Sequence, residues 1–427
     1  MNAGFALLES GVCRAASCQS VFLKNMLDAC FGTILWFLCG YTFMYGSMGE
    51  GDDGTPLQVI GGVDTGAGFF GDGMVDSTAD TVVQMAYIGP NHLITCQDWF
   101  FQWAFCVTAA TIVSGGVAER LQMGGYLIFT TFMTAFIYPT IGAMTWGYGL
   151  LYDQGYSDFA GSGIVHLTGG IGALVGAIVT GPRVGRFEAE GMDPNGTYAP
   201  HNVPNAALGT FILWFGWYGF NCGSTLYMTG FGTAGSAALV AVNTTLAPAA
   251  GGISAMFLRR FVLAPKSWNV TYVCGGILGG LVSITAGCGN IHPRGAILVG
   301  AIGGVVYCAA SEALQAAKID DPVEAFPVHG ACGIWGVLAV PLFDINTLGA
   351  GGDLYGPGIS LGASLFAQAL GCVVIPVWTG IFSAIMFVII KAAGLLRVDE
   401  DHEKMGIDAA EFSPKAAYKG GVTEGKL

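Results

Sequence analysis

Charge is what this 427-residue sequence has least of: 11% of its residues are Asp, Glu, Lys or Arg, against about 25% in soluble domains. So few polar side chains cannot cover a water-facing globule of this length, and a hydrophobic content of 53% points to lipid as the solvent. Basic residues are scarcer still, 16 Lys and Arg against 29 Asp and Glu. They are not interleaved with aromatics, so a nucleic-acid partner is not expected. No Walker, Rossmann or H-E-x-x-H pattern occurs, which leaves no sign of a nucleotide-binding or zinc-protease site. The 12 cysteines contain no C-x-x-C spacing, and Cys30, Cys39, Cys106, Cys274, Cys308, Cys332 and Cys372 sit in apolar runs. They read as small packing residues, so neither a metal site nor a cofactor is expected.

What the sequence does have is glycine, 68 residues of it without a collagen period, and long apolar runs. Small residues let transmembrane helices approach closely where no hydrophobic effect drives them together. Runs of about 20 apolar residues, enough to cross a bilayer, fall near 21–46, 99–117, 125–147, 161–181, 205–222, 236–257, 269–287, 295–313, 327–343 and 359–390. Met1 to Gly11 reads as the end of an eleventh span, apparently cut short. It lacks the basic start and cleavage site of a signal peptide. The expectation is an all-α polytopic membrane protein of eleven spans, with a transmembrane domain over 1–390 and a cytoplasmic tail over 391–427.

Alternating the loops from the first half-span puts 15 of the 16 basic residues on one side, leaving only Arg294 opposite. The long loop 47–98 carries acidic residues such as Asp52, Asp53 and Asp98 and no Lys or Arg. By the positive-inside rule the N-terminus is then outside and the tail cytoplasmic. The sequon at Asn195-Gly196-Thr197 would lie inside and carry no glycan.

Two segments share the pattern D-x7-H-x3-G-I: Asp158 to His166 with Gly170 and Ile171, and Asp321 to His329 with Gly333 and Ile334. They belong to the fifth and tenth spans, so the copies run in opposite directions. That is the mark of a five-plus-five inverted repeat, with the substrate path near the midplane between the halves. Of six histidines only His166 and His329 lie at membrane depth. Ionisable groups there are costly and default to function; the alternative is a neutral imidazole satisfied between helices. Asp158 is counted two helical turns before His166, on roughly the same face, where it either attracts a cation or caps the span. Asp321, ahead of Pro322, reads first as a helix start. The aromatic run from Phe100 to Phe105 is either an interfacial belt or a face for a cation.

The segments AGFALLESG, GGVAER, DFAGSGIVH, PHNVPNAALGTFILWFGWYGFNCGS and DDPVEAFPVHGACGIWG together resemble the ammonium transporter family, including the Rhesus proteins, over nearly the whole chain. The resemblance implies a recruitment site for ammonium at Phe105, Trp146 and Ser224, with Gln102 at the pore mouth. It implies a phenyl gate of Phe105 and Phe220, twin pore histidines at His166 and His329, and a supporting acid at Asp158. It also implies a homotrimer in a plasma or inner cell membrane that conducts ammonium or ammonia and is not an enzyme. The tail departs from the family pattern: Gly406 and Asp408 are kept, the His-Gly that usually follows is missing, and Ala410 stands where some members have a regulatory threonine. Ser413 before Pro414 is a substitute on this reading, and the tail leaves room for a cytoplasmic regulator. A second reading is an ammonium sensor that signals through this tail.

Overall fold

The computed structural model describes residues 1–45, 87–88, 93–187, 197–344 and 361–418. Most of the acidic loop 47–98, Asn195 and Gly196 of the sequon, residues 359–360 and the tail lysines Lys419 and Lys426 lie outside the described residues. The described residues are mostly helical. In lipid the helix satisfies every backbone group within one segment, and each of the ten apolar runs meets a helix.

A short α1 (Asn2–Val12) is followed by α2 (Ala15–Tyr45), α3 (Thr95–Gly116), α4 (Met123–Met144) and α5 (Ser162–Thr180). Then come α6 (Val203–Gly223), α7 (Phe231–Phe257), α8 (Val270–Thr285), α9 (Pro293–Ala316), α10 (Phe326–Phe343) and α11 (Leu361–Ala392). Seven of the described helices are long and apolar enough to cross a membrane by length and composition alone. A two-residue antiparallel pair, Tyr87–Ile88 with Leu93–Ile94, precedes α3. The tail ends in two short helices, α12 (Glu400–Met405) and α13 (Ile407–Glu411).

Local sequence explains the helix starts. Asn202 Oδ1 accepts the Asn205 amide at 3.0 Å ahead of α6, and Asn269 Oδ1 accepts the Thr271 amide at 3.0 Å ahead of α8. Such side chains satisfy amides that a helix leaves without partners. Glycine then sets how close helices come. A β-carbon on Gly11 would strike the backbone of α6 at Asn202 and Ala206, which is how α1 lies against α6. At the centre, a β-carbon on Gly170 would run into the backbone of Gly330, and one on Gly333 would meet the carbonyl of Ser162 at 2.7 Å. The glycine of each D-x7-H-x3-G-I segment thus admits the other segment, and α5 and α10 cross where both histidines stand.

Both helices enter that crossing through a wide π-turn, Ser162–Leu167 in α5 and Phe326–Ala331 in α10. Such turns concentrate at functional positions. Asp158 is not on the α5 helix. Gly161 adopts a left-handed φ of 103°, which breaks the chain before Ser162, so the expected shared helix face with His166 does not exist. Only glycine takes this conformation without a steric cost.

Candidate functional site

Asp158 organises the mouth of the site. Its Oδ1 accepts the amides of Gly161 and Ser162 at 2.7 and 2.9 Å, and its Oδ2 those of Gly163 and Ile164 at 2.8 and 3.0 Å. One carboxylate therefore satisfies four amides at the start of α5, the capping alternative taken to its limit. The backbone carbonyl of Asp158 holds the Trp146 indole N–H at 2.9 Å.

Beside it lies a cavity of about 850 Å³ lined by Phe101, Gln102, Trp146, Asp158 and Ser224. Its polar atoms are suited to a small donor. The Ser224 hydroxyl donates to the Phe220 carbonyl at 2.9 Å, leaving its oxygen free to accept. Gln102 Oε1 is buried and has no hydrogen-bond partner among the described residues. Phe105 does not line the cavity. It is 1% exposed and sits behind the wall, edge-on to Trp146 at 5.5 Å between centroids and 4.7 Å from the ring of Phe101. Phe101, in the aromatic run but not singled out in it, is the ring that faces the cavity.

Behind the cavity wall Phe105 and Phe220 lie with centroids 4.0 Å apart and planes tilted by 35°. His166 follows, 5.6 Å from Phe220 and stacked on Trp217 at 5.0 Å and 17°. The Trp217 indole N–H is held by Thr285 Oγ1 at 2.9 Å, which fixes the platform under the imidazole. His166 and His329 lie ring to ring at 5.2 Å, with Nδ1 atoms 3.2 Å apart. A hydrogen bond between two Nδ1 atoms needs one donor and one acceptor, so the two neutral rings must adopt different tautomers. His166 Nε2 is buried without a partner among the described residues.

Past His329 a small void of about 20 Å³ is bounded by Phe5, Leu8, Glu9 and Val328. Leu8 and Val328 also line a pocket of about 220 Å³ on the side where the tail packs. Cavity, ring pair, histidine pair, void and pocket therefore form one series. Its centre is apolar, and the cost of moving a bare cation into such a medium is many kcal/mol. A neutral molecule that can donate and accept hydrogen bonds is much cheaper to admit.

The tail side carries an ionic cluster that the sequence did not disclose. Arg183 grips Asp320 with Nε at 2.8 Å and Nη2 at 2.9 Å, and reaches Glu119 at 2.7 Å. Arg14 pairs with the other oxygen of Glu119. Burial alone would raise the Asp320 carboxyl, but the Arg183 guanidinium outweighs it and holds the group well below its ordinary 3.8. Glu119 is likewise pushed up by burial and drawn down further by Arg183 and Arg14, to a net position below its ordinary value. The tail joins this cluster. Glu403 accepts the Val184 amide at 2.7 Å and pairs with Arg397 at 2.8 Å. Asp408 accepts the amides of Gln19 and Ser20 at 2.8 and 3.0 Å, at the start of α2. The only hint in the sequence was that Glu119 and Arg120 end the segment GGVAER. Among the described residues no group of His, Cys, Asp and Glu could hold a metal ion.

Residues 1–418 match the sequence profile of the Ammonium Transporter Family. A Synechocystis protein named as a candidate ammonium transporter is 39% identical over 411 residues, which cover 96% of this chain and 84% of that one. Ammonium transporter 1 member 2 of Oryza sativa subsp. japonica is 35% identical, with coverage of 98% and 84%. Among solved structures, a Sensor Amt Protein superposes with a TM-score of 0.80 at 33% identity, covering 96% of this chain and 94% of that one. Saccharomyces cerevisiae Mep2 gives 0.78 at 26% identity, covering 94% and 86%.

Proposed function

The chain belongs to the ammonium transporter family, and on that premise we propose that it conducts ammonium or ammonia across a cell membrane along the series from the Trp146 cavity to the tail-side pocket. The observation that supports this reading is a run of side-chain contacts between the two ends, with the Phe105 and Phe220 rings at 4.0 Å, Phe220 5.6 Å from His166 and the histidine Nδ1 atoms at 3.2 Å. Ammonium is held at the cavity by ring faces and by the acceptors of Ser224 and Gln102. A cation over an aromatic face gains about 0.5–2 kcal/mol. Below Phe105 and Phe220 the species that travels is ammonia, hydrogen-bonded in turn by His166 and His329. Potassium is close to ammonium in size but has no proton to give up, so a dry path rejects it.

In this reading α1–α5 and α6–α10 are the two halves of an inverted repeat, α11 completes an eleven-span bundle, and the transmembrane domain runs over 1–390. The N-terminus is outside, the tail over 391–427 is cytoplasmic and open to a regulator, and the assembly is a homotrimer with one path per subunit. The reciprocal fit of Gly170 against Gly330 and Gly333 against Ser162 supports the two-halves reading.

The test is methylammonium and ammonium uptake by cells that lack their own transporters. Expression of this chain is expected to restore uptake, Phe220→Ala and His166→Ala are expected to abolish it or to admit potassium, and assembly should be unchanged. Ligand binding without uptake would identify a sensor and sink the transport reading. Parent-like uptake and parent-like potassium exclusion in both variants would sink the assigned path.

A further inference from the structure

We propose that Glu9 is a path residue, the acceptor that takes a proton from the histidine pair on the tail side; the inference rests on the transport reading. Glu9 lines the same void of about 20 Å³ as His329, and the rest of that lining is apolar: Phe5, Leu8, Ile112 and Val328 among others. A void needs about 10–15 Å³ of such volume to hold one water, so one molecule of water or ammonia fits between the imidazole and the carboxylate.

The carboxylate is aimed rather than merely buried. Asn25 Nδ2 and Ser114 Oγ both donate to Oε2, at 3.2 and 2.9 Å. Oε1 takes no hydrogen bond among the described residues. A purely structural glutamate, 1% exposed at this depth, would be expected to have both oxygens satisfied. The charged and titratable groups around it are Lys24 and Asp28 on α2, Cys13 after α1, Tyr126 on α4 and His329 on α10. Lys24 Nζ is itself buried with no hydrogen-bond partner among the described residues, 5.4 Å from the Tyr126 ring centroid.

The step moves protons only. An ammonium ion that crosses as ammonia leaves its proton with the pair at His166 Nε2, the Nδ1 proton of His166 moves to Nδ1 of His329, and the Nε2 proton of His329 passes to the water in the void, which gives one of its own to Glu9 Oε1. Glu9 then releases its proton to water in the tail-side pocket that Leu8 and Val328 also border. The carboxylate ends as it began, and both rings end neutral with their tautomers exchanged. Neutral ammonia needs no such step.

Proteoliposomes separate the two. An ammonium pulse is read as charge movement on a supported membrane and, in parallel, as internal alkalinisation by ammonia. Glu9→Gln is expected to lower the current about 100-fold, the usual worth of a positioned proton acceptor, with alkalinisation near that of the parent. A parent-like current in Glu9→Gln overturns the inference alone. Equal loss of both signals makes the residue structural and also overturns it. A parent that gives alkalinisation without current removes the need for the acceptor, and a parent with neither signal ends the transport reading with it. If Glu9→Gln does not assemble, Glu9→Asp decides: a carboxylate withdrawn by one methylene is expected to give an intermediate current, and a parent-like current overturns the inference.

Discussion

The segments 158–171 and 321–334 have the same pattern, and each opens into a π-turn that bears a histidine, yet their aspartates do different work. Asp158 satisfies four amides and borders the Trp146 cavity. Asp321 satisfies two, those of Ala325 and Phe326 at 3.0 and 2.8 Å. The neighbours account for the gap. Before α5 the chain has Gly161 at a positive φ, so the amides of residues 161 to 164 converge on one point. Before α10 the positive φ falls on Glu324, whose carboxylate accepts from Tyr307 and Ser311 and shares the work of holding the turn. Charge at the second mouth is handled next door, by Asp320 and Arg183. One pattern thus specifies a crossing of two helices, while its acidic residue answers to whatever each end of the path must bind.

The comparison breaks most readily at Asp158. Asp158→Ala leaves four buried amides without an acceptor, each worth about 1–3 kcal/mol, and a loss above about 4 kcal/mol should be seen as failure to assemble or a collapse of the thermal midpoint in detergent. Next is Asp320→Asn, which breaks a buried ion pair at a cost of about 3–5 kcal/mol. Its pH signature has a fixed sign. The folded-state pKa of Asp320 lies below its ordinary 3.8, so its contribution is complete above about pH 4 and is lost as pH falls from there toward the folded value. The midpoint of the parent should decline through that acid range, and that decline should be shallower in Asp320→Asn. Asp321→Ala removes an ordinary cap and should cost about 1–2 kcal/mol. Equal losses in Asp158→Ala and Asp321→Ala would show that the two aspartates are equivalent after all.

How much of this could be read in the sequence follows from what each feature depends on. Helices were legible because lipid forces apolar residues into long runs, and each of the ten runs meets one. His166 and His329 were legible because an imidazole in such a run is expensive enough to stand out. Three features were not. The break at Gly161 depends on one backbone angle that the glycine permits without requiring. The cluster of Arg14, Glu119, Arg183 and Asp320 joins residues up to 306 positions apart, from 14 to 320, and no local spacing encodes it. Glu9 was hidden because it falls in a stretch read as the end of a span and as part of the family resemblance, with no role given to its carboxylate, and its meaning comes from His329, which α10 brings to the same void.

The smallest effect tests the joint between the two segments. If the Nδ1 atoms of His166 and His329 share a proton, as their 3.2 Å separation allows, then His166→Ala already destroys the bond, and His329→Ala added to it destroys nothing further of that kind. The double variant should therefore be less destabilised than the sum of the singles, by about 0.5–1.5 kcal/mol, the net worth of one hydrogen bond. Thermal midpoints of the four proteins in one detergent measure this directly. Strict additivity would mean that the rings only stand side by side, each bonded to whatever passes, and the crossing of α5 and α10 would then hold two independent acceptors instead of one coupled pair.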